Sequence, residues 1–374
     1  MTVPEIVLLG YYGRGNFGDD ILMLVAHEVA RSMMPGASVG IRLPHGAAYP
    51  TRLLKNDFLP VPFGTRDHHR LILHGGGGTF FDFTSYSVLK RFRNAALLAS
   101  GAGAYVGAEA ALRRLIGKPR ISAERRIGLG IGVGTFSSGS RKLLEALPVL
   151  SSFDRLWVRD HKSCDNLRSL SVSPPTVVGS DLAFISDAWC PSNLAMRSRR
   201  PEHRRPKLGV ILRDWPVDIT SSFAEEFQPI IAGLAKEYDL TIISLDPAAD
   251  RGVLNTFIGF PQLLWRPSSM KLHDFLHRLS GFDAFLTSRA HGAICGACLG
   301  RPSVILEIEP KLAAVNRMLP RATRLAVSKS NLSTISLLVE EVLSISADSI
   351  EADVKHNRML SEAALDETIK DFRL

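Results

Sequence analysis

Short apolar runs recur along the chain. Most close on a glycine or a charged residue, and segments whose apolar residues return at helical spacing lie between many of them. In the first half the runs are Glu5 to Leu9, Ser38 to Leu43, Arg70 to Leu73, Arg125 to Val133, Arg155 to Val158 and Thr176 to Val178. In the second they are Lys207 to Leu212, Leu240 to Leu245, Leu263 to Arg266, Phe282 to Thr287, Ser303 to Glu307 and Thr323 to Val327. Helical periodicity marks Ile21 to Met34, Phe223 to Tyr238, Met270 to Leu279 and two closing stretches, Leu332 to Ser344 and Ile350 to Phe372. Apolar strands alternating with helices predict doubly wound parallel sheets.

The pattern breaks from Ser186 to Pro206, which holds Pro191, Pro201 and Pro206 and the basic residues Arg197, Arg199, Arg200, Arg204 and Arg205. A chain of 374 residues is long for one domain. The expected division is a first Rossmann-like domain over 1–190, a linker over 191–206 and a second Rossmann-like domain over 207–374 that includes the closing helices. The expected fold class is α/β, two such domains facing across a cleft.

Charge narrows the partners. The formal net charge is +8, which suits an anionic substrate, an anionic membrane surface or nucleic acid. The basic residues are scattered and aromatics are only 7%, so nucleic acid is set aside. Four cysteines in so long a chain indicate a reducing compartment. Cys295 and Cys298 form a C-x-x-C pair with no second pair beside it, on an apolar helix face, and read as core. The start, Met1 to Leu9, reads as a strand and not as a signal peptide. No apolar run is long enough to span a bilayer. The expected location is cytoplasmic, with peripheral contact at the inner membrane face left open.

Candidate chemistry sits where strands end and helices begin, the edge at which open α/β sheets bind ligands. In Ser288-Arg289-Ala290-His291-Gly292 an arginine and a histidine stand at such a turn. The helix start offers free N–H groups to an anion, and the histidine can move protons. After the first strand, Gly13, Gly15 and Gly18 match G-x-G-x-x-G. The next strand carries no acidic residue at its end to hold a ribose, so a backbone-to-substrate approach is expected rather than a nicotinamide dinucleotide. Asp19 and Asp20 read as helix caps or as site residues. The run Gly75-Gly76-Gly77-Gly78, followed by Asp82, is expected to form a close-approach loop beyond its strand, since four glycines add no side-chain burial.

Together these residues resemble the polysaccharide pyruvyltransferase family. The resemblance rests on Gly10-Tyr11-Tyr12-Gly13 with Asn16-Phe17-Gly18-Asp19, Gly75 to Gly78, Val158-Arg159-Asp160, Asp181-Leu182-Ala183, Leu212-Arg213, Ser288-Arg289-Ala290-His291 and Glu309-Pro310-Lys311, in family order over nearly the whole chain. It implies two Rossmann-like domains of glycosyltransferase-B type and transfer of pyruvyl from phosphoenolpyruvate to two hydroxyls of a sugar, forming a ketal. It further implies His291 and Lys311 as catalytic residues, with Arg289, Arg213, Ala290 and Arg159 binding phosphoenolpyruvate. Gly13, Asn16, Asp19, Gly76, Gly77 and Asp82 would line the acceptor, a sugar or lipid-linked oligosaccharide. The position after Arg289 is often a larger apolar residue in the family; here it is Ala290.

The chemistry asks for the same residue types. Phosphoenolpyruvate carries a carboxylate and a phosphate, which arginines bind bidentately. Ketal formation needs a proton donor for the enol carbon, a task suited to histidine. No cofactor or metal is required; phosphoenolpyruvate is a co-substrate. Two other readings stay open at this point: a nucleotide-sugar-dependent glycosyltransferase of similar architecture, and a non-catalytic glycan-binding protein.

Overall fold

The computed structural model describes residues 3–81, 121–136, 140–195, 204–214, 223–327 and 330–372. It contains two all-parallel sheets. The first holds β1 (Ile6–Leu9), β2 (Val39–Leu43), β3 (Leu59–Pro62), β4 (His68–Phe80), β5 (Ser122–Val133), β6 (Arg155–Val158) and β7 (Thr176–Val178). The second holds β8 (Lys207–Ile211), β9 (Asp239–Ser244), β10 (Gln262–Leu264), β11 (Ala284–Thr287), β12 (Ser303–Glu307) and β13 (Thr323–Val327). The strand orders are β3-β2-β1-β4-β5-β6-β7 and β10-β9-β8-β11-β12-β13. Both are the doubly wound order, in which the chain starts mid-sheet, winds to one edge and returns to wind to the other. The expected pair of Rossmann-like sheets is therefore present.

The central strands are apolar on both faces because helices cover both. Ile6, Val7 and Leu8 of β1 and Ala284, Phe285 and Leu286 of β11 are essentially inaccessible. Such strands read as unbroken apolar runs, and β1, β6, β7, β12 and β13 fall within a residue of their sequence-read bounds. The edge strand β3 escaped the sequence reading. Its residues Leu59-Pro60-Val61-Pro62 carry two prolines, which only an edge strand tolerates, since one flank needs no N–H.

The glycine run differs from expectation. Gly75 to Gly78 are not a loop after the strand but the strand itself, which continues to Phe80 beside β5. Gly76 and Gly77 have φ of +65° and +83°, a region closed to most side chains. Packing explains part of the run after all. A Cβ on Gly75 would stand 2.1 Å from the Tyr12 hydroxyl, and one on Gly76 would stand 2.8 Å from Leu22. The bare backbone lets the first helix, Phe17–Met33, lie directly on β4.

Two features bind the sheets into one body. Phe17, at the start of the first helix, packs edge-on against Trp265 (ring centroids 5.2 Å apart) and Phe275 (4.9 Å) of the second sheet's layer. Each such pair adds about 0.5–1.5 kcal/mol beyond the area it buries. The last helix, Ala347–Ile369, returns to the first sheet. Its Asn357 accepts from Ser180 Oγ (2.7 Å) and donates to the Met318 carbonyl (2.7 Å). Ser361 donates to the Asp181 carbonyl at 3.1 Å.

Of the basic stretch before β8, Arg204 pairs with Asp283 at 2.8 Å and Arg205 donates to carbonyls of the 235–238 turn. Those two arginines are anchors of the second domain. Arg197, Arg199 and Arg200 lie outside the described residues.

Candidate active site

In each sheet the winding reverses between two central strands: β1 and β4 in the first, β8 and β11 in the second. Ligands of open α/β sheets bind at such crevices, beyond the carboxyl ends of the strands. Here the two crevices meet. One contact is between Gly18, second residue of the first helix, and His291, second residue of the helix Ala290–Cys298 that follows β11. A Cβ on Gly18 would lie 2.1 Å from His291 Nδ1 and 2.9 Å from His291 Cβ. Only glycine lets the helix start rest on the imidazole.

The first helix reaches this point because Asn16 caps it, accepting from the N–H groups of Gly18 (3.0 Å) and Asp19 (3.3 Å). Neither Asp19 nor Asp20 is the cap, so the capping reading of both is corrected. Asn16 also donates to Asp246 across the interface (3.3 Å), and the Phe17 N–H donates to the Leu245 carbonyl (2.8 Å). Asp246 follows β9, so the loop after the second sheet's β9 docks on the helix start of the first domain.

Asp20 locks the same junction. It is 2% exposed and accepts from Tyr49 of the first domain and Trp265 Nε1 of the second, both at 2.7 Å. Burial pushes its carboxyl up to about 7, against the pull of those two donors. Asp20→Ala leaves the buried Trp265 N–H without an acceptor. It is expected to cost about 1–3 kcal/mol of stability, read as a lower urea midpoint with an unchanged slope.

Around His291 stand four cations, each held by a buried carboxylate. Arg289 pairs with Asp250, itself anchored by Ser244 Oγ at 2.8 Å. Arg213 and Lys311 converge on one oxygen of Glu309, at 3.0 and 2.7 Å. Arg159 reaches Asp181 and Asp160, each at 3.5 Å, and a Cβ on Gly132 would stand 2.8 Å from its guanidinium. His291 Nε2 faces Asp181 at 3.8 Å, too long for a hydrogen bond but within ion-pair range. Burial alone would raise Asp181. His291, Arg159 and the Ala183 N–H outweigh it and hold the carboxyl below the ordinary range. Asp181 is thus an anion set beside the imidazole ring.

Lys311 carries the largest perturbation among the site cations. Burial lowers it to about 8, and Arg213 and Arg159 add to the depression while Glu309 opposes it. Asp19 is half-buried, and burial raises it to about 6 although His291, Lys311 and Arg289 pull it down. The mutual influence of these groups places Asp19 of the first domain among the cations of the second. Among the described residues, no group of three or more His, Cys, Asp or Glu side chains is arranged to hold a metal ion.

The structure therefore gathers Arg159, Arg213, Arg289, His291 and Lys311, with Asn16 and Asp19 facing them. Gly77 lies beside Asp19, whose Oδ1 would be 3.8 Å from a Cβ there. Ala290 is buried at the helix start. A Cβ on Gly13 would meet Leu43, Pro44 and Ala47, and one on Gly76 would meet Leu22 and Leu182. Asp82 lies outside the described residues. Sequence reasoning did not assign the carboxylates Asp181, Asp246, Asp250 and Glu309 to the site. The strand-end rule that found Arg289 would also have pointed to Asp181 after β7, Asp246 after β9 and Glu309 after β12.

A family model described as polysaccharide pyruvyl transferase matches residues 16–310. No curated protein matches the sequence. Among solved structures, the chain is similar to a putative UDP-N-acetylglucosamine 2-epimerase from Listeria monocytogenes: 11% identity, TM-score 0.53, 96% of this chain and 93% of that one covered. It is similar to a glycosyltransferase from Rickettsia africae, with 9% identity, TM-score 0.53 and coverage of 98% and 97%. It is also similar to Anabaena Alr3699/HepE, solved in complex with UDP, with 10% identity, TM-score 0.54 and coverage of 99% and 97%. At such identities these likenesses bear on the fold alone.

Proposed function

The chain belongs to the polysaccharide pyruvyl transferase family, and from that premise we propose that it joins the pyruvyl carbon of phosphoenolpyruvate to two hydroxyls of a glycan, with the second domain binding the donor and the first the acceptor. The observation that carries the reading is the convergence of Arg213, Lys311, Arg289 and Arg159 around His291. A small trianion needs such a set, and arginine forks match its carboxylate and phosphate.

In this reading the arginines and Lys311 exchange their carboxylate partners for the donor's oxygens. His291, beside the Asp181 carboxylate, gives a proton to the methylene carbon while an acceptor hydroxyl attacks the neighbouring carbon. The carbon–carbon double bond becomes a methyl group and a new C–O bond. Phosphate then leaves with its oxygen, and the second hydroxyl closes the ketal. Lys311 neutralises the departing phosphate. Asn16, Asp19 and Gly77 border the acceptor, and residues 1–190 and 207–374 form the two sides of the site.

Among the described residues no helix is long and apolar enough to cross a membrane. A lipid-linked acceptor would bring this basic chain to the inner membrane face as a peripheral protein.

The test is phosphate release from phosphoenolpyruvate with a panel of sugars and lipid-linked oligosaccharides. Acceptor-dependent release establishes the reaction class; a folded chain that binds no phosphoenolpyruvate in calorimetry refutes it. A second expectation concerns pH. Lys311 carries its proton below about 8 and loses it above, so affinity for the donor falls as pH rises through that value. Lys311→Met should weaken phosphoenolpyruvate binding by about 10- to 100-fold at pH 7, the worth of one charge-assisted hydrogen bond. It should also flatten the decline above pH 8.

A further inference from the structure

The site's carboxylates have partners, with one exception. Asp20 accepts from Tyr49 and Trp265, Asp246 from Asn16 and the Ala249 N–H, and Asp250 from Arg289 and Ser244. Asp160 accepts from the Ser163 N–H, Asp181 from the Ala183 N–H, and Glu309 binds Arg213 and Lys311. Among the described residues, Asp19 alone of this set accepts no hydrogen bond and enters no ion pair.

Asp19 is nonetheless held firmly. It is the third residue of the first helix, its N–H bound by the Asn16 cap, and Oδ1 lies against Gly77 of β4. Its chain neighbour Gly18 touches His291. The charged groups facing it are Asp20 on its own helix, Asp246 after β9, Arg289 and His291 after β11, and Lys311 after β12. Its oxygens are not sealed from solvent, so the carboxylate stands open toward the space between the domains. A substrate hydroxyl placed there would meet it.

Resting on the pyruvyl-transfer reading, we propose that Asp19 is the general base that takes the proton of the attacking acceptor hydroxyl. The sugar O–H bond breaks, its proton passes to an Asp19 oxygen, and the freed electron pair forms the C–O bond to the central carbon of the donor. The double-bond pair takes the proton carried by His291, which is left neutral. When phosphate leaves with its C–O electron pair, the second hydroxyl attacks the same carbon and neutral His291 takes that proton. Asp19 returns its proton to the phosphate. Both side chains regain their starting states, and the two hydroxyl protons are accounted for, one by restoring His291 and one on phosphate. A carboxyl raised to about 6 by burial is ionised at neutral pH and closer to the ideal basicity for this task than an exposed one.

Asp19→Asn keeps the shape and removes the base. Turnover is expected to fall by about 100- to 1,000-fold, while phosphoenolpyruvate binding in calorimetry is kept or tightened, since a negative charge near the anion is gone. The acidic limb of the kcat/KM profile near pH 6 should vanish, a change that a merely structural role would not produce. Asp19→Ala gives the second arm: added formate should restore turnover by about tenfold as a small carboxylate enters the vacated space. Turnover of either variant within about threefold of wild type without formate, or an unchanged acidic limb in Asp19→Asn, overturns the assignment. These outcomes are distinct from failure of the underlying reading. If the wild-type chain binds no phosphoenolpyruvate, that reading falls and this inference with it; an active wild type with an equally active Asp19→Asn removes the inference alone.

Discussion

His291→Ala is expected to reduce acceptor-dependent phosphate release by about 1,000-fold or more, the upper part of the range for loss of a positioned proton donor. The imidazole sits between the Asp181 carboxylate and the start of the first helix. The variant should fold, because the ring is partly exposed and the helix it starts is otherwise apolar and buried. Donor affinity should change little, since Arg213, Lys311 and Arg289 are untouched. The measurement is single-turnover phosphate release beside calorimetric binding. Wild-type turnover in the variant would exclude His291 as the acid; lost turnover with intact binding would separate proton transfer from donor binding.

Gly18→Ala is the second change of large expected effect, and it acts without removing a functional group. The added methyl would stand 2.1 Å from His291 Nδ1, 2.5 Å from Cγ and 2.9 Å from Cβ. Contacts that close to the root of a side chain cannot be relieved by a small tip movement. Either the imidazole turns away from Asp181 or the first helix draws back from the second domain. Both displace reacting groups by about 1 Å, which costs about 100-fold in rate when positioning carries the catalysis. Donor binding should persist, because three of its four cations, Arg213, Arg289 and Lys311, lie on the second domain. Gly64→Ala is the control: a Cβ there meets nothing within 4 Å, and turnover should be unchanged. An unaffected Gly18→Ala enzyme would mean that the two domains stand apart at this point during turnover.

These two expectations differ in what a sequence can reveal. His291 was legible because a charged pair at a strand-to-helix turn has few structural uses, and because its motif stands in order with others along the chain. The requirement for glycine at 18 was not. It arises from contact with a residue more than 270 positions away, and the G-x-G-x-x-G spacing pointed to phosphate approach rather than to a histidine of another domain. The glycine run of β4 misled in a similar way. Its composition suggested a loop, whereas bare backbone was needed for Tyr12, after β1, and Leu22, on the first helix, to pack on a continuing strand.

The sequence by itself determined the two parallel sheets, since strands covered on both faces must be apolar throughout and the helices between them must be one-sided. It also determined where chemistry concentrates, because charged residues at strand ends have no place in either apolar layer. The tertiary structure alone decided which charges meet. Asp181 with His291, Asp250 with Arg289, and Glu309 with both Arg213 and Lys311 are pairings across windings of the sheets. Periodicity states which face of an element is buried, but not what lies against it. The closing helix on the first sheet, Trp265 on Asp20 and the unpartnered carboxylate of Asp19 have the same origin. Each depends on how two separately wound sheets dock, and docking is set by side-chain packing between segments that are remote along the chain.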